Sequence, residues 1–109
     1  MNLEITAAEL AAKLRAGEGV QIVDVREPEE FALARIEGSE LVPMGAVPQE
    51  LQRLEGLSDE ADLAILCHHG VRSLNVAAWL QQHGIENGFS VSGGIDRWSQ
   101  EADPNVPRY

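Results

Sequence analysis

Residues 63–73 read Leu63-Ala64-Ile65-Leu66-Cys67-His68-His69-Gly70-Val71-Arg72-Ser73, and this stretch decides the fold. Its first four residues form a short apolar run, which is typical of a strand buried on both faces of a parallel sheet. The side chain of Ser73 can cap a helix, and apolar residues follow it at helical spacing as far as Gly84, which suits a helix end. The stretch therefore predicts a strand, a loop and a helix that runs from Ser73 to His83.

The loop that begins at Cys67 lies where an anion is stabilised. Backbone N–H groups at the amino end of a helix have no partners, and the helix dipole is positive there. If these groups surround the Cys67 sulfur, with Gly70 supplying a backbone conformation that other residues resist, the thiolate is favoured over the thiol. Arg72 adds a permanent positive charge. We therefore predict that Cys67 is a nucleophile that holds a transferable group covalently. The alternative is a small buried apolar residue at a strand end.

The composition limits the class of protein. The chain has 109 residues, 44% of them hydrophobic, which predicts one globular domain over residues 1–109. A single cysteine forms no intramolecular disulfide, no apolar run is long enough to span a membrane, and Glu4 and Glu9 interrupt any apolar leader. We therefore expect a cytoplasmic protein. The 18 acidic and 8 basic side chains give a net charge of -10, which opposes binding to nucleic acid or to an anionic membrane. An anionic substrate needs a local positive pocket, which Arg72 and the loop amides are expected to supply.

Strands and helices alternate along the rest of the chain. Further strands are expected at residues 2–5, 20–25, 40–42 and 87–91, and further helices at residues 6–15, 28–34, 48–56 and from residue 95. Residues 103–109 contain two prolines and are expected to lie extended on the surface. Such alternation implies parallel pairing and right-handed crossovers. It predicts a three-layer α/β fold with its site beyond the carboxyl ends of the strands.

Three motifs, in order along the chain, resemble the signatures of the rhodanese family. Residues 23–31 resemble the amino-terminal signature, residues 67–73 the active-site loop and residues 92–98 the carboxyl-terminal signature. The resemblance covers nearly the whole chain. It implies a rhodanese-like fold with a central five-stranded parallel sheet flanked by helices.

The resemblance also implies sulfur transfer. Cys67 would accept a sulfane sulfur from a small anionic donor such as thiosulfate, or from a persulfide donor, and would pass it to a thiol, cyanide or a protein acceptor. Asp24 and Arg26 would hold the fold around the site rather than react, and no cofactor is implied. The residues that would bind the persulfide and the donor, through backbone amides and the Arg72 side chain, are His68, His69, Gly70, Val71, Arg72 and Ser73.

Two features depart from the usual family pattern. Residues 34–36 read Ala-Arg-Ile where the family often has Gly-His-Ile, at a position that tolerates change. His68 and His69 occupy variable loop positions, where they could donate hydrogen bonds or carry positive charge when protonated. We expect no metal there, because neighbouring residues on a tight loop rarely aim at one ion and the sequence offers no evident acid to complete a shell.

Two other functions stay open. One is a binding or regulatory module that keeps the fold without turnover, although the presence of both Cys67 and Arg72 favours an enzyme. The other is phosphatase or arsenate reductase chemistry on the same fold. The loop from Cys67 to Arg72 has six residues, and the resemblance associates this length with sulfur transfer and one more residue with phosphate or arsenate. A tight ring of N–H groups suits the single outer sulfur of a persulfide, so we favour sulfur transfer.

Overall fold

A five-stranded parallel sheet forms the centre of the fold. The computed structural model describes residues 2–109. The strands lie in the order β1-β5-β4-β2-β3, and every pairing is parallel. The sheet confirms the predicted fold class, with β2 and β4 in its interior and the short β1 at one edge. The strands are β1 (Glu4–Ile5), β2 (Val20–Asp24), β3 (Glu40–Leu41), β4 (Asp62–Leu66) and β5 (Gly88–Val91).

Five α-helices connect the strands. A capping box formed by Thr6 and Glu9 begins the first helix, as the sequence predicts. The third helix begins at Leu51, after 3-10 turns at Met44–Ala46 and Pro48–Glu50, and it continues past Gly56 to Ser58. Among residues 2–109, no helix has the length and apolar character needed to cross a membrane. The helices are α1 (Ala7–Arg15), α2 (Pro28–Leu33), α3 (Leu51–Ser58), α4 (Val71–Gln82) and α5 (Gly94–Glu101).

The two faces of the sheet carry separate apolar clusters. Alternate side chains of a strand point to opposite faces, so Ile22 and Leu66 pack with α1 and α5, whereas Val23 and Ile65 pack with α3 and α4. Four helices therefore form the outer two of three layers. Helix α2 contributes no buried side chain of its own and follows the carboxyl end of β2. This position brings it to the edge of the sheet where the Cys67 loop lies.

Helix α4 begins earlier than predicted. Its first residue is Val71, and the residue before it, Gly70, has φ of 101°. This left-handed conformation turns the chain from loop into helix at Gly70, so no cap is formed at Ser73 and that prediction is wrong. Ser73 instead lies buried in the first turn of α4. Gly84 follows the helix with φ of 96°, as predicted.

The tail after α5 is not purely a surface segment. Val106 is buried and belongs to the apolar cluster beneath α1 and α5. Its burial anchors the tail against the core, and the side chains that follow reach the carboxyl edge of the sheet. The expectation that residues 103–109 lie extended on the surface is therefore incomplete.

Candidate active site

Hydrogen-bond donors converge on the Cys67 sulfur. The Sγ atom accepts the backbone N–H of Gly70 at 3.0 Å and that of Ser73 at 3.3 Å, and it lies 3.3 Å from the hydroxyl oxygen of Ser73. Cys67 directly follows β4 and is 1% exposed. The positive end of the α4 dipole therefore faces a sulfur that is shielded from water. This environment stabilises negative charge on the sulfur or on an atom bound to it.

The first turn of α5 supports the loop from behind. The N–H of Ile95 donates to the Cys67 carbonyl at 2.8 Å, and the N–H of Asp96 donates to the His68 carbonyl at 3.1 Å. Gly94 permits this close approach, because a Cβ at that position would lie 2.4 Å from both carbonyl oxygens. Residues 92–98 thus fix the loop backbone and do not meet the sulfur through a side chain.

Asp24 and Arg26 form a buried ion pair beneath the site. Neither residue is exposed, and Arg26 Nη2 lies 2.6 Å from Asp24 Oδ2. The Arg26 guanidinium also donates to the backbone carbonyls of Glu30 and Ala34, at 3.2 and 2.6 Å. Arg26 therefore ties the end of β2 to α2, and so fixes where Glu30 lies.

Glu30 binds Arg72, a contact that sequence reasoning missed. The two guanidinium nitrogens of Arg72 donate to Glu30 Oε1 at 2.7 Å and to Oε2 at 2.9 Å. These hydrogen bonds lower the pKa of Glu30 to about 2. The pKa of Arg72 is raised, mainly by Glu30 and to a smaller extent by the charge of Cys67. Arg72 is therefore not the free cation that the sequence analysis expects, because its charge is matched by a carboxylate.

Tyr109 is a second residue that sequence reasoning missed. Its hydroxyl donates to Glu30 Oε2 at 2.8 Å and accepts from Arg26 Nη1 at 2.8 Å, and its ring stacks on His68 with centroids 4.0 Å apart. Tyr109 thus connects the buried pair of Asp24 and Arg26 with the partly exposed pair of Glu30 and Arg72. The sole signal in the sequence is that the only tyrosine of the chain stands in an otherwise polar tail.

Ser90 extends the polar contacts of the sulfur into the core. Its hydroxyl lies 2.7 Å from that of Ser73, and both residues are buried. If Ser90 donates to Ser73, the Ser73 hydrogen is free to point at the Cys67 sulfur. The feature of the sequence that could have identified Ser90 is its position as a polar residue within the buried strand β5.

The two loop histidines differ in exposure. His68 lies between the rings of His69 and Tyr109, with centroids 3.9 and 4.0 Å away, and burial together with the neighbouring His69 lowers its pKa. His69 is largely exposed, with Nε2 3.9 Å from Asp96 Oδ2. Val71, which was predicted to bind the donor through its backbone amide, has a 70% exposed side chain. The surroundings of His68 therefore disfavour its charged form more than those of the exposed His69 ring do.

Asp96 supplies an acid that sequence reasoning did not place beside the histidines. One ligand atom from each of His68, His69 and Asp96 lies within 4.8 Å of the others. The two imidazole rings are stacked, however, with their planes 28° apart, which disfavours both rings binding one ion through a nitrogen. Arg108 also occupies the Asp96 carboxylate, at 2.9 Å. The stated reason for expecting no metal was thus incomplete, although the geometry of this cluster does not favour one.

Nearly the whole sequence of the chain matches a known protein family. The profile of the family described as Rhodanese-like domain matches residues 6–101. The chain belongs to the rhodanese-like family. A solved rhodanese-like domain protein from Staphylococcus aureus, 35% identical, superposes with a TM-score of 0.79 over 100% of this chain and 99% of that one.

Sulfurtransferases are among the rhodanese-like relatives of similar size. The putative sulfurtransferase YtwF of Bacillus subtilis is 34% identical over 101 residues, which cover 93% of this chain and 94% of YtwF. The thiosulfate sulfurtransferase GlpE of Pseudomonas paraeruginosa is 34% identical over 92 residues, covering 84% of this chain and 80% of GlpE. Other curated relatives are longer, and the chain spans between 23% and 30% of their length. The chain is thus similar to sulfurtransferases, some compact and some with further domains.

Proposed function

We propose that this chain is a sulfurtransferase that carries a sulfane sulfur as a persulfide on Cys67. The donor is thiosulfate or a persulfide, and the acceptor is a thiol, cyanide or a protein. The observation that carries the proposal is the convergence of two backbone N–H groups and a hydroxyl on the Cys67 sulfur at the amino end of α4. Similarity to YtwF and GlpE supports it.

The reaction proceeds in two nucleophilic steps. In the first, the Cys67 thiolate attacks the outer sulfur of thiosulfate, a new S–S bond forms, and the old S–S bond breaks with its electron pair leaving on sulfite. In the second, the acceptor attacks the outer sulfur of the persulfide, and the electron pair of that S–S bond returns to the Cys67 thiolate. The amides of Gly70 and Ser73 stabilise the negative charge in both steps. No side chain is required as a general base once the thiolate has formed.

The charge and the single cysteine also support the expected setting. A net charge of -10 disfavours nucleic acid and anionic membranes as partners. A reducing compartment such as the cytoplasm keeps a lone nucleophilic cysteine available. The partners that this proposal implies are a small sulfur donor and a thiol or protein acceptor.

The first prediction tests Cys67 itself. Incubation with thiosulfate should add one sulfur atom to the mass of the wild-type protein, and Cys67→Ser should abolish both this gain and turnover, since an alcohol is a weaker nucleophile and cannot form the persulfide. Circular dichroism checks that the variant is folded.

Three outcomes would contradict the proposal. A Cys67→Ser variant that still transfers sulfur would remove Cys67 from the mechanism. Hydrolysis of an aryl phosphate through Cys67, at a rate comparable with sulfur transfer, would favour phosphatase chemistry instead. A wild-type protein that gains no sulfur from thiosulfate or from a thiol persulfide would favour a binding module.

A further inference from the structure

The guanidinium groups that the structure places at the site are each matched by a carboxylate. Arg26 pairs with Asp24, Arg72 with Glu30, and Arg108 with Asp96 at 2.9 Å. The ring of His68 stacks on Tyr109 beside these pairs, and burial disfavours its charged form by lowering its pKa. The attraction of the site for an anion therefore rests mainly on the neutral N–H donors of the loop.

Glu30 is held firmly in its place between these groups. Its Oε1 accepts the N–H of Glu27 in the capping box of α2, at 3.1 Å, while Oε2 accepts the Tyr109 hydroxyl at 2.8 Å. Both oxygens also accept from Arg72. Four hydrogen bonds, donated by Glu27, Arg72 and Tyr109, therefore hold the carboxylate in one orientation. Its pKa of about 2 means that it stays charged under all ordinary assay conditions.

A fixed carboxylate at the site discriminates between sulfur donors by their charge. Thiosulfate is a dianion with its second charge on the sulfonate oxygens, whereas a thiol persulfide carries one negative charge at the reacting end. Coulomb repulsion from Glu30 grows in proportion to the donor charge, and the charge of Arg72 that would offset it is already shared with Glu30. A single carboxylate at this position is therefore expected to disfavour the dianion more than the singly charged donor.

We propose that Glu30 is a specificity-determining residue, which matches the charge of Arg72 and so favours singly charged persulfide donors over dianionic thiosulfate. This inference rests on the sulfurtransferase function proposed above and names its preferred donor class. Glu30 acts on donor selection, while Cys67 and the loop amides carry the transfer itself.

The test compares Glu30→Gln with Glu29→Gln. Glutamine keeps the shape of Glu30 and removes its charge, although its single carbonyl oxygen can accept from Glu27 or from Tyr109 and not from both. Glu29 lies on the same helix, is exposed and is not a partner of Arg72, so its change lowers the net negative charge equally. The rate of persulfide formation on Cys67 is measured by mass with two donors, thiosulfate and 2-hydroxyethyl persulfide, whose only charge is that of its terminal sulfur.

We expect Glu30→Gln to raise kcat/KM for thiosulfate by about five- to tenfold, the effect of removing one charge near a dianion at a partly solvated site. The same change should alter the rate with 2-hydroxyethyl persulfide by less than about twofold, and Glu29→Gln should alter neither rate. The ratio of kcat/KM for thiosulfate to kcat/KM for the persulfide donor measures selectivity. If this ratio is equal in Glu30→Gln and wild type, the inference is overturned while sulfur transfer stays intact. Failure of both donors to load wild-type Cys67 would instead overturn the proposed function.

A second measurement keeps the inference testable should Glu30→Gln fold poorly. The rate of the wild-type protein with thiosulfate is followed as the salt concentration rises. If the site lacks a free cation, screening relieves repulsion and the rate should stay level or rise. A rate that falls steeply with salt would show that a net positive site recruits thiosulfate, and would overturn the inference.

Discussion

Two arginine–carboxylate pairs lie at the carboxyl edge of the sheet, one buried and one partly exposed. The side chains of Asp24 and Arg26 have no exposed surface, whereas those of Glu30 and Arg72 are 20% and 34% exposed. The two pairs use the same chemistry, and Tyr109 contacts both of them. Because water screens the outer pair far more than the inner one, we propose that the inner pair holds the fold and that the outer pair acts in the choice of substrate.

The largest expected effect comes from breaking the buried pair. Asp24→Asn leaves the Arg26 guanidinium buried without its counter-charge and should lower the free energy of unfolding by about 3–5 kcal/mol. Urea unfolding measures this loss. The matched control is Glu40→Gln. Glu40 lies on β3 and forms an exposed pair with Arg53 of α3, so this change should cost under about 1 kcal/mol. Similar losses in the two variants would mean that burial does not distinguish the pairs.

Breaking the outer pair should affect turnover more than stability. Arg72→Ala removes a cation near the sulfur and leaves Glu30 unmatched, so turnover with thiosulfate should fall by about tenfold to a hundredfold, somewhat less than the loss of a fully available electrostatic donor. The unfolding free energy should change by about 1 kcal/mol or less. Kinetics and urea unfolding on the same preparation check both values.

A double variant sharpens this comparison. Adding Glu30→Gln to Arg72→Ala removes the unmatched carboxylate and should restore part of the lost turnover. If Arg72→Ala instead destabilised the protein as much as Asp24→Asn, with unchanged activity of the folded fraction, Arg72 would be a structural residue.

Local patterns in the sequence predict the scaffold well. The apolar run before Cys67, the capping box at Thr6 and the β-branched residues from Val20 each specify an element through near neighbours. The wrong prediction of a helix cap at Ser73 also came from a local pattern. The positive φ of Gly70 starts the helix earlier and leaves Ser73 for the sulfur.

Contacts between distant segments were the part that sequence reasoning could not reach. Glu30 and Arg72 are 42 positions apart, and Glu30 and Tyr109 are 79 apart. Their pairing depends on which loops the sheet order brings to one edge, and neither periodicity nor a turn signal encodes that order. A lone arginine after Cys67 therefore indicated a cation but could not reveal the carboxylate that matches it.

The smallest expected effect concerns the acid stability of the outer pair. Arg72 lowers the pKa of Glu30 from 4.5 to about 2. A carboxylate with a depressed folded-state pKa stabilises the protein above its unfolded pKa, and this contribution is lost as the pH falls through the folded value. Wild type should therefore exceed Glu30→Gln in unfolding free energy at neutral pH by about 1 kcal/mol, a value reduced by solvent screening.

The difference between wild type and Glu30→Gln should shrink between about pH 4.5 and pH 2 and vanish below, whereas Glu29→Gln should follow wild type throughout. Thermal unfolding at a series of pH values measures it. A difference that stayed constant down to pH 2 would mean that Glu30 contributes through packing and neutral hydrogen bonds. In that case the outer pair would resemble the buried one, and the division between a pair for the fold and a pair for the substrate would not hold.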